Sequence, residues 1–199
     1  MMVKVCGITN WEDASAASEC GASALGFNFW RYSPRYISPT GASLIAEKLP
    51  ASILKVGVFV DETPDVIAKV ALQANLDIAQ LHGASECPAV LRWRACLVGE
   101  TLEVDCLADL DAAALLLDTA SAELRGGTGL TFRWSLAKQA AQTTGKKIVI
   151  AGGLDQDNVQ SAIAEAQPWG VDSCSRLESS PGRKDHVKMK KFIRAALAA

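Results

Sequence analysis

The stretch VKVCGITN, residues 3–10, decides between two folds. Four strand-forming residues end on a cysteine, and Gly7 then lets the backbone turn sharply. An open, doubly wound α/β sheet usually places a Gly-rich dinucleotide turn after its first strand. CGITN is not such a turn, so a first strand that ends this way favours a closed barrel. The thiol of Cys6 has two readings at this point. It is either a small core filler, as most free cysteines are, or a reactive group at a strand end.

Beyond residue 10, short apolar runs alternate with segments of helical period. The runs are VKVC (3–6), SALGF (23–27), ILKVGVFV (53–60), LDIAQL (76–81), RACLV (94–98), ALLLD (114–118), KIVIAG (147–152) and WGVDSC (169–174). Helices are expected near 11–20, 40–49, 64–74, 85–92, 133–143, 156–166 and 184–198. Asn10 serves as an N-cap and Pro64 as a first-turn proline. TLEVDCLADL, after RACLV, is ambiguous. Buried runs joined by crossovers of this length imply parallel strands with right-handed connections. Eight in succession predict an α/β fold of the (β/α)8 TIM-barrel type, a single compact domain over residues 1–199.

The chain carries 20 Lys and Arg against 22 Asp and Glu, a net charge of −2, with no basic tract. Nucleic acid is therefore not an expected partner. No run is long enough to cross a bilayer, so no membrane association is expected. Six cysteines occur without a CxxC pair or a signal-peptide pattern, which reads as free thiols in a cytoplasmic protein. The two histidines, His82 and His186, lack ligand spacing, so no metal site is expected.

A barrel concentrates chemistry at the carboxyl ends of its strands. Those ends carry Cys6, the SPRY stretch with Arg35, QLHG with His82, Asp118, GGTG (126–129), AGGL (151–154) and SCSRLE (173–178). Gly152 and Gly153, with Ser175 and Arg176, fall in the loops after strands seven and eight, where barrels often hold a phosphate on backbone N–H groups. The alternative for the glycines is a tight strand-to-helix turn. Asp118 is an acid at the barrel mouth or a turn aspartate. Arg35 is a carboxylate clamp or a solvated loop residue. His82 either bonds within its own loop or serves the site.

Taken in order, VKVCGIT, GF before SPRY, VGVFV, QLHG, LLLDT, GGTG with FRW, AGGL with DNV, and GVD before PGRKD resemble the phosphoribosylanthranilate isomerase family. The resemblance runs from residue 3 to about 193. It implies a cofactor-free Amadori rearrangement in tryptophan biosynthesis, with a small sugar phosphate as substrate. By position in VKVCGIT and LLLDT, it implies Cys6 as general base and Asp118 as general acid. Arg35 would face the anthranilate carboxylate, with His82 beside it, and a monomer is expected. A thiol of ordinary pKa is only about 3% thiolate at neutral pH, so the site should favour that form.

Departures from the family pattern are Arg176 where a glycine is usual, Ala84-Ser85 for an acidic pair, and Arg133 for an aspartate. Two other classes share some of these features: a different sugar-phosphate isomerase, and a non-catalytic phosphate binder. The first normally uses paired carboxylates or metal ligands. The second would have no use for Cys6 and Asp118.

Strand parity gives two further expectations. Lys4 and Cys6 lie on the same face, so if Cys6 faces the barrel mouth, Lys4 points into the barrel and requires a partner; the alternative is Lys4 in solvent at the barrel's amino end. Strand eight closes beside strand one, which nominates Asp172. Arg176 is either strained at positive φ or, the favoured reading, at negative φ with the loop's amides kept in place.

Overall fold

The computed structural model describes residues 1–87, 89–119 and 132–199. Each of the eight apolar runs becomes a strand: β1 Met2–Val5, β2 Ala24–Asn28, β3 Leu54–Val60, β4 Ile78–His82, β5 Leu91–Val98, β6 Ala114–Thr119, β7 Lys147–Ile150 and β8 Gly170–Ser173. They follow one another around a closed barrel, and β8 pairs in parallel with β1 to shut it. The seam is in register from Met2 against Gly170 to Val5 against Ser173.

Alternation along the strands sorts side chains into two cores. Val3, Val5, Leu25, Phe27, Leu115 and Ile150 pack outward beneath the helices. Met2, Ala24, Val56, Ile78, Trp93 and Leu116 fill the barrel interior. Most strands are thus apolar on both faces, which is why those runs read as continuous rather than alternating; β5, with Arg92 and Arg94 on one face, is an exception.

The helices are α1 Trp11–Glu19, α2 Pro39–Ala46, α3 Pro64–Gln73, α4 Asp105–Ala108, α5 Ser135–Thr144, α6 Val159–Ala166 and α7 His186–Leu197. Asn10 accepts the Asp13 N–H at 2.9 Å and so caps α1. Pro39 and Pro64 occupy first turns, where a missing N–H costs nothing. Asp185 caps α7 by accepting from the Val187 and Lys188 amides. Met189, Phe192, Ile193 and Ala196 then recur at helical spacing and are fully buried.

Two expectations need correction. Among the described residues of 85–92 there is no helix, and β5 starts at Leu91, earlier than RACLV suggested. Only residues 83–90 separate β4 from β5, fewer than the roughly a dozen a helical crossover needs. Arg94 braces this connection instead, donating to the carbonyls of Gly83 and Ser85 and to Glu86 at 3.1, 2.8 and 2.6 Å. β8 is followed by a 3₁₀ turn, Ser175–Leu177, and a small antiparallel hairpin, β9 Glu178–Ser180 with β10 Arg183–Lys184. The ambiguous TLEVDCLADL contains one helical turn, α4. GGTG (126–129) lies outside the described residues. Among the described residues no helix is long and apolar enough to cross a membrane.

Candidate active site

Cys6 directly follows β1, and its N–H donates to the Ser173 carbonyl at 2.9 Å, continuing the seam one step past the strand. Its side chain opens into a cavity of about 310 Å³ at the carboxyl end of the barrel. Trp30, Arg35, His82, Asp118 and Cys174 line the same space. Four residues expected in a site, from four different strand ends, are therefore brought together. A second hollow of about 390 Å³ shares Trp30 and Val60 with the first but contains none of those four.

The floor of the cavity carries a buried ion pair. Lys4 is fully buried, and its Nζ lies 3.0 Å from Asp172 Oδ1. This is the pair that strand parity predicted. Burial pulls the Lys4 pKa down, but the Asp172 carboxylate together with Cys6 offsets it and holds the pKa above the usual lysine value.

The pair acts on both functional groups above it. Cys6 is pulled down to about 7, chiefly by a hydrogen bond from the Cys174 thiol; burial opposes this, and the Lys4 charge adds to the lowering. Asp118 is pushed up to about 6, first by burial and then by the negative charge of Asp172. The positive end of the pair thus favours a thiolate, while its negative end favours a protonated carboxyl. A shift in opposite senses, thiol down and carboxyl up, is what a base and an acid working near neutrality require.

Arg35 is held by Glu178, with Nε 2.9 Å from Oε1 and Nη2 2.8 Å from Oε2, so this pair leaves its Nη1 unengaged. Glu178 also accepts from Lys184 Nζ at 3.0 Å. The hairpin therefore supports the arginine from behind, a contribution that the residue spacing did not reveal. His82 Nε2 lies 2.9 Å from Gln80 Nε2, so the amide side chain of Gln80 meets the ring. The Oε1 of Gln80 is buried without a hydrogen-bond partner among the described residues.

The two expected phosphate loops meet. Ser173 Oγ donates to the Leu154 carbonyl at 2.5 Å, tying the loop after β8 to the loop after β7. Gly152 and Gly153 have φ of 80° and 66°, a region open to glycine. A Cβ on Gly152 would also sit 2.7 Å from the Thr119 nitrogen and 2.9 Å from Asp118 Oδ1, so this glycine lets the β7 loop close on the Asp118 carboxyl. Ser175 and Arg176 lie in the 3₁₀ turn. Arg176 is not among the described non-glycine residues at positive φ, and its half-exposed guanidinium stands 3.9 Å from Asp155 Oδ2.

Cys174 was not expected to take part. A thiol has no obligatory partner, and only the register of β1 against β8 reveals that it adjoins Cys6. Among the described residues no cluster of three or more His, Cys, Asp or Glu side chains is arranged to hold a metal ion.

A model of the family described as N-(5'phosphoribosyl)anthranilate (PRA) isomerase matches residues 3–195. The chain is 47% identical, over 203 residues, to an N-(5'-phosphoribosyl)anthranilate isomerase from Solibacter usitatus, covering 100% of this chain and 98% of that one. Its fold matches the crystal structure of phosphoribosyl anthranilate isomerase from Thermotoga maritima with a TM-score of 0.91 at 39% identity, each chain covered to 100%. A further crystal structure, with a TM-score of 0.83, 38% identity and 100% coverage of both chains, is a phosphoribosyl anthranilate isomerase in complex with reduced 1-(o-carboxyphenylamino)-1-deoxyribulose 5-phosphate.

Proposed function

The chain belongs to the N-(5'-phosphoribosyl)anthranilate isomerase family and is an isomerase of tryptophan biosynthesis; on that premise we propose that Cys6 is its general base and Asp118 its general acid. The substrate is N-(5-phosphoribosyl)anthranilate and the product 1-(2-carboxyphenylamino)-1-deoxyribulose 5-phosphate. The observation that carries the assignment is the opposed shift of the two groups across one cavity, Cys6 to about 7 and Asp118 to about 6.

The reaction begins with Asp118 protonating the furanose ring oxygen as the anilino nitrogen lone pair expels it. The ring opens to a Schiff base. The Cys6 thiolate then removes the proton from C2, the electrons move toward the nitrogen, and an enolamine forms that tautomerises to the ketone. With its pKa near 7, about half of Cys6 is thiolate at neutral pH, against about 3% for an ordinary thiol. Arg35, steadied by Glu178, faces the anthranilate carboxylate, with His82 beside it in the cavity. The amides of Gly152, Gly153 and Ser175, with the Arg176 side chain, receive the phosphate.

Freshly generated N-(5-phosphoribosyl)anthranilate, followed by the fluorescence of its anthranilate ring, gives the test. Cys6→Ala and Asp118→Asn should each lower kcat by at least about 10²-fold while product affinity stays close to that of the parent. Cys6→Ser should be nearly as poor, because a hydroxyl is a far weaker base than a thiolate. Near-normal turnover by Cys6→Ala would return Cys6 to the role of core filler.

A further inference from the structure

The seam of the barrel places two cysteines side by side at the cavity. Val5 pairs with Ser173, and the Cys6 N–H to Ser173 carbonyl bond of 2.9 Å carries the register one step on, so Cys6 stands opposite Cys174. Neighbouring strands are about 4.8 Å apart, inside the roughly 4.4–6.8 Å Cα separation that a disulfide accepts. Cys174 lies one residue past β8, at φ −132° and ψ −85°, and its side chain lines the cavity together with that of Cys6.

Both cysteines are free thiols. Lys4 lies beneath Cys6, and its charge favours the thiolate that reacts with oxidants. At Cys174 Sγ, Lys184 Nζ at 3.8 Å is matched by Glu178 Oε1 at 3.9 Å, and contact with Cys6 and burial keep this second sulfur a thiol. The plainer account, two small thiols that merely fill a seam, does not explain their opening into a cavity.

We propose that Cys6 and Cys174 are a redox modification site, in which a peroxide links them as a reversible disulfide that switches the site off. The Cys6 thiolate attacks one oxygen of hydrogen peroxide: the S–O bond forms, the O–O bond breaks, and the departing hydroxide is protonated to water. The Cys174 sulfur then attacks the sulfenic sulfur of Cys6. The S–S bond forms, the S–O bond breaks, and the thiol proton leaves with the hydroxide as a second water. Two thiols have lost two electrons, and one peroxide has become two waters. The linkage protects Cys6 from further oxidation to sulfinic acid, which thiols do not reverse.

Disulfide formation needs only the two thiols. Loss of turnover additionally rests on Cys6 being the base. The experiment therefore reads both. The intact chain is treated with stoichiometric hydrogen peroxide, then analysed by intact mass, by unreduced peptide mapping and by turnover. The expected result is the loss of two hydrogens, a peptide joining Cys6 to Cys174, turnover lost in proportion to the linked fraction, and full recovery with dithiothreitol. In Cys174→Ser, two or more equivalents of peroxide should convert Cys6 to sulfinic acid that dithiothreitol does not rescue. Sulfinic acid at Cys6 of the parent without linkage, a linkage through Cys20, Cys87, Cys96 or Cys106 instead, or an unchanged mass overturns the proposal. A linked chain that still turns over upholds the disulfide and removes Cys6 from the role of base.

Discussion

In the roles proposed for them, Cys6 and Asp118 work with their protonation states reversed from the usual order. The reaction needs a thiolate and a protonated carboxyl, yet Cys6 sits at about 7 and Asp118 at about 6. At pH 6.5 each group is about one quarter in the required form, so about 6% of molecules hold both at once. The profile of kcat/KM should be a narrow bell, falling below about pH 6 and above about pH 7. In Asp118→Asn the alkaline fall should vanish, leaving a weak activity that rises with a midpoint near the Cys6 value. A stopped-flow or steady-state pH series checks this, and an alkaline fall that survives in Asp118→Asn would exclude the carboxyl as the acid. Some of this site was legible in the residues. A lysine two positions before the cysteine had to point inward and find a carboxylate, because a buried ammonium cannot stand alone. Cys174 was not legible, since nothing obliges a thiol to find a partner.

At the scale of elements, the turn after β8 carries one of the departures from the pattern that the sequence resembles. Arg176 replaces a glycine, but the 3₁₀ turn Ser175–Leu177 needs no positive φ there, so the substitution imposes no backbone strain. Its guanidinium is half exposed and within 3.9 Å of Asp155, so part of its charge is already balanced. Arg176→Gly should therefore raise KM by about two- to fivefold at low salt, leave kcat nearly unchanged, and lose even that effect as salt rises. Equal KM values for the two chains at low ionic strength would show that the side chain does not reach the phosphate. Elements were legible where hydrophobic period and caps agreed, as with Asn10 before α1 and the buried stripe of α7. They were misread where tertiary contacts replaced local signals. The polar segment before β5 has the composition of a short helix, yet its span is too small to cross the sheet, and Arg94 holds it as a loop. The hairpin of β9 and β10 owes its place to Glu178, whose partners come from residues 35 and 184.

The molecule as a whole is held shut at its seam by Lys4 and Asp172, buried together 168 positions apart. Lys4→Met leaves Asp172 buried without its cation and should cost about 3–5 kcal/mol in chemical denaturation. The same change removes the positive charge beside Cys6, so the pH midpoint of Cys6 alkylation should rise from about 7. Lys4→Met with Asp172→Asn should recover at least half of the stability and still leave that midpoint raised, because Lys4 acts on Cys6 more strongly than Asp172 does. Recovery of both together would mean that the pair only holds strands and does not tune the thiol. The seam also sets the order in which the protein becomes an enzyme. During synthesis the ribosome makes Lys4 and Cys6 well over a hundred residues before Asp172 and Cys174. Until β8 arrives, the lysine remains hydrated and the cysteine has neither its thiol neighbour nor the finished pocket around it. A nascent chain thus carries its reactive sulfur from the start in an untuned state, and the step that closes the fold is also the step that switches on the chemistry.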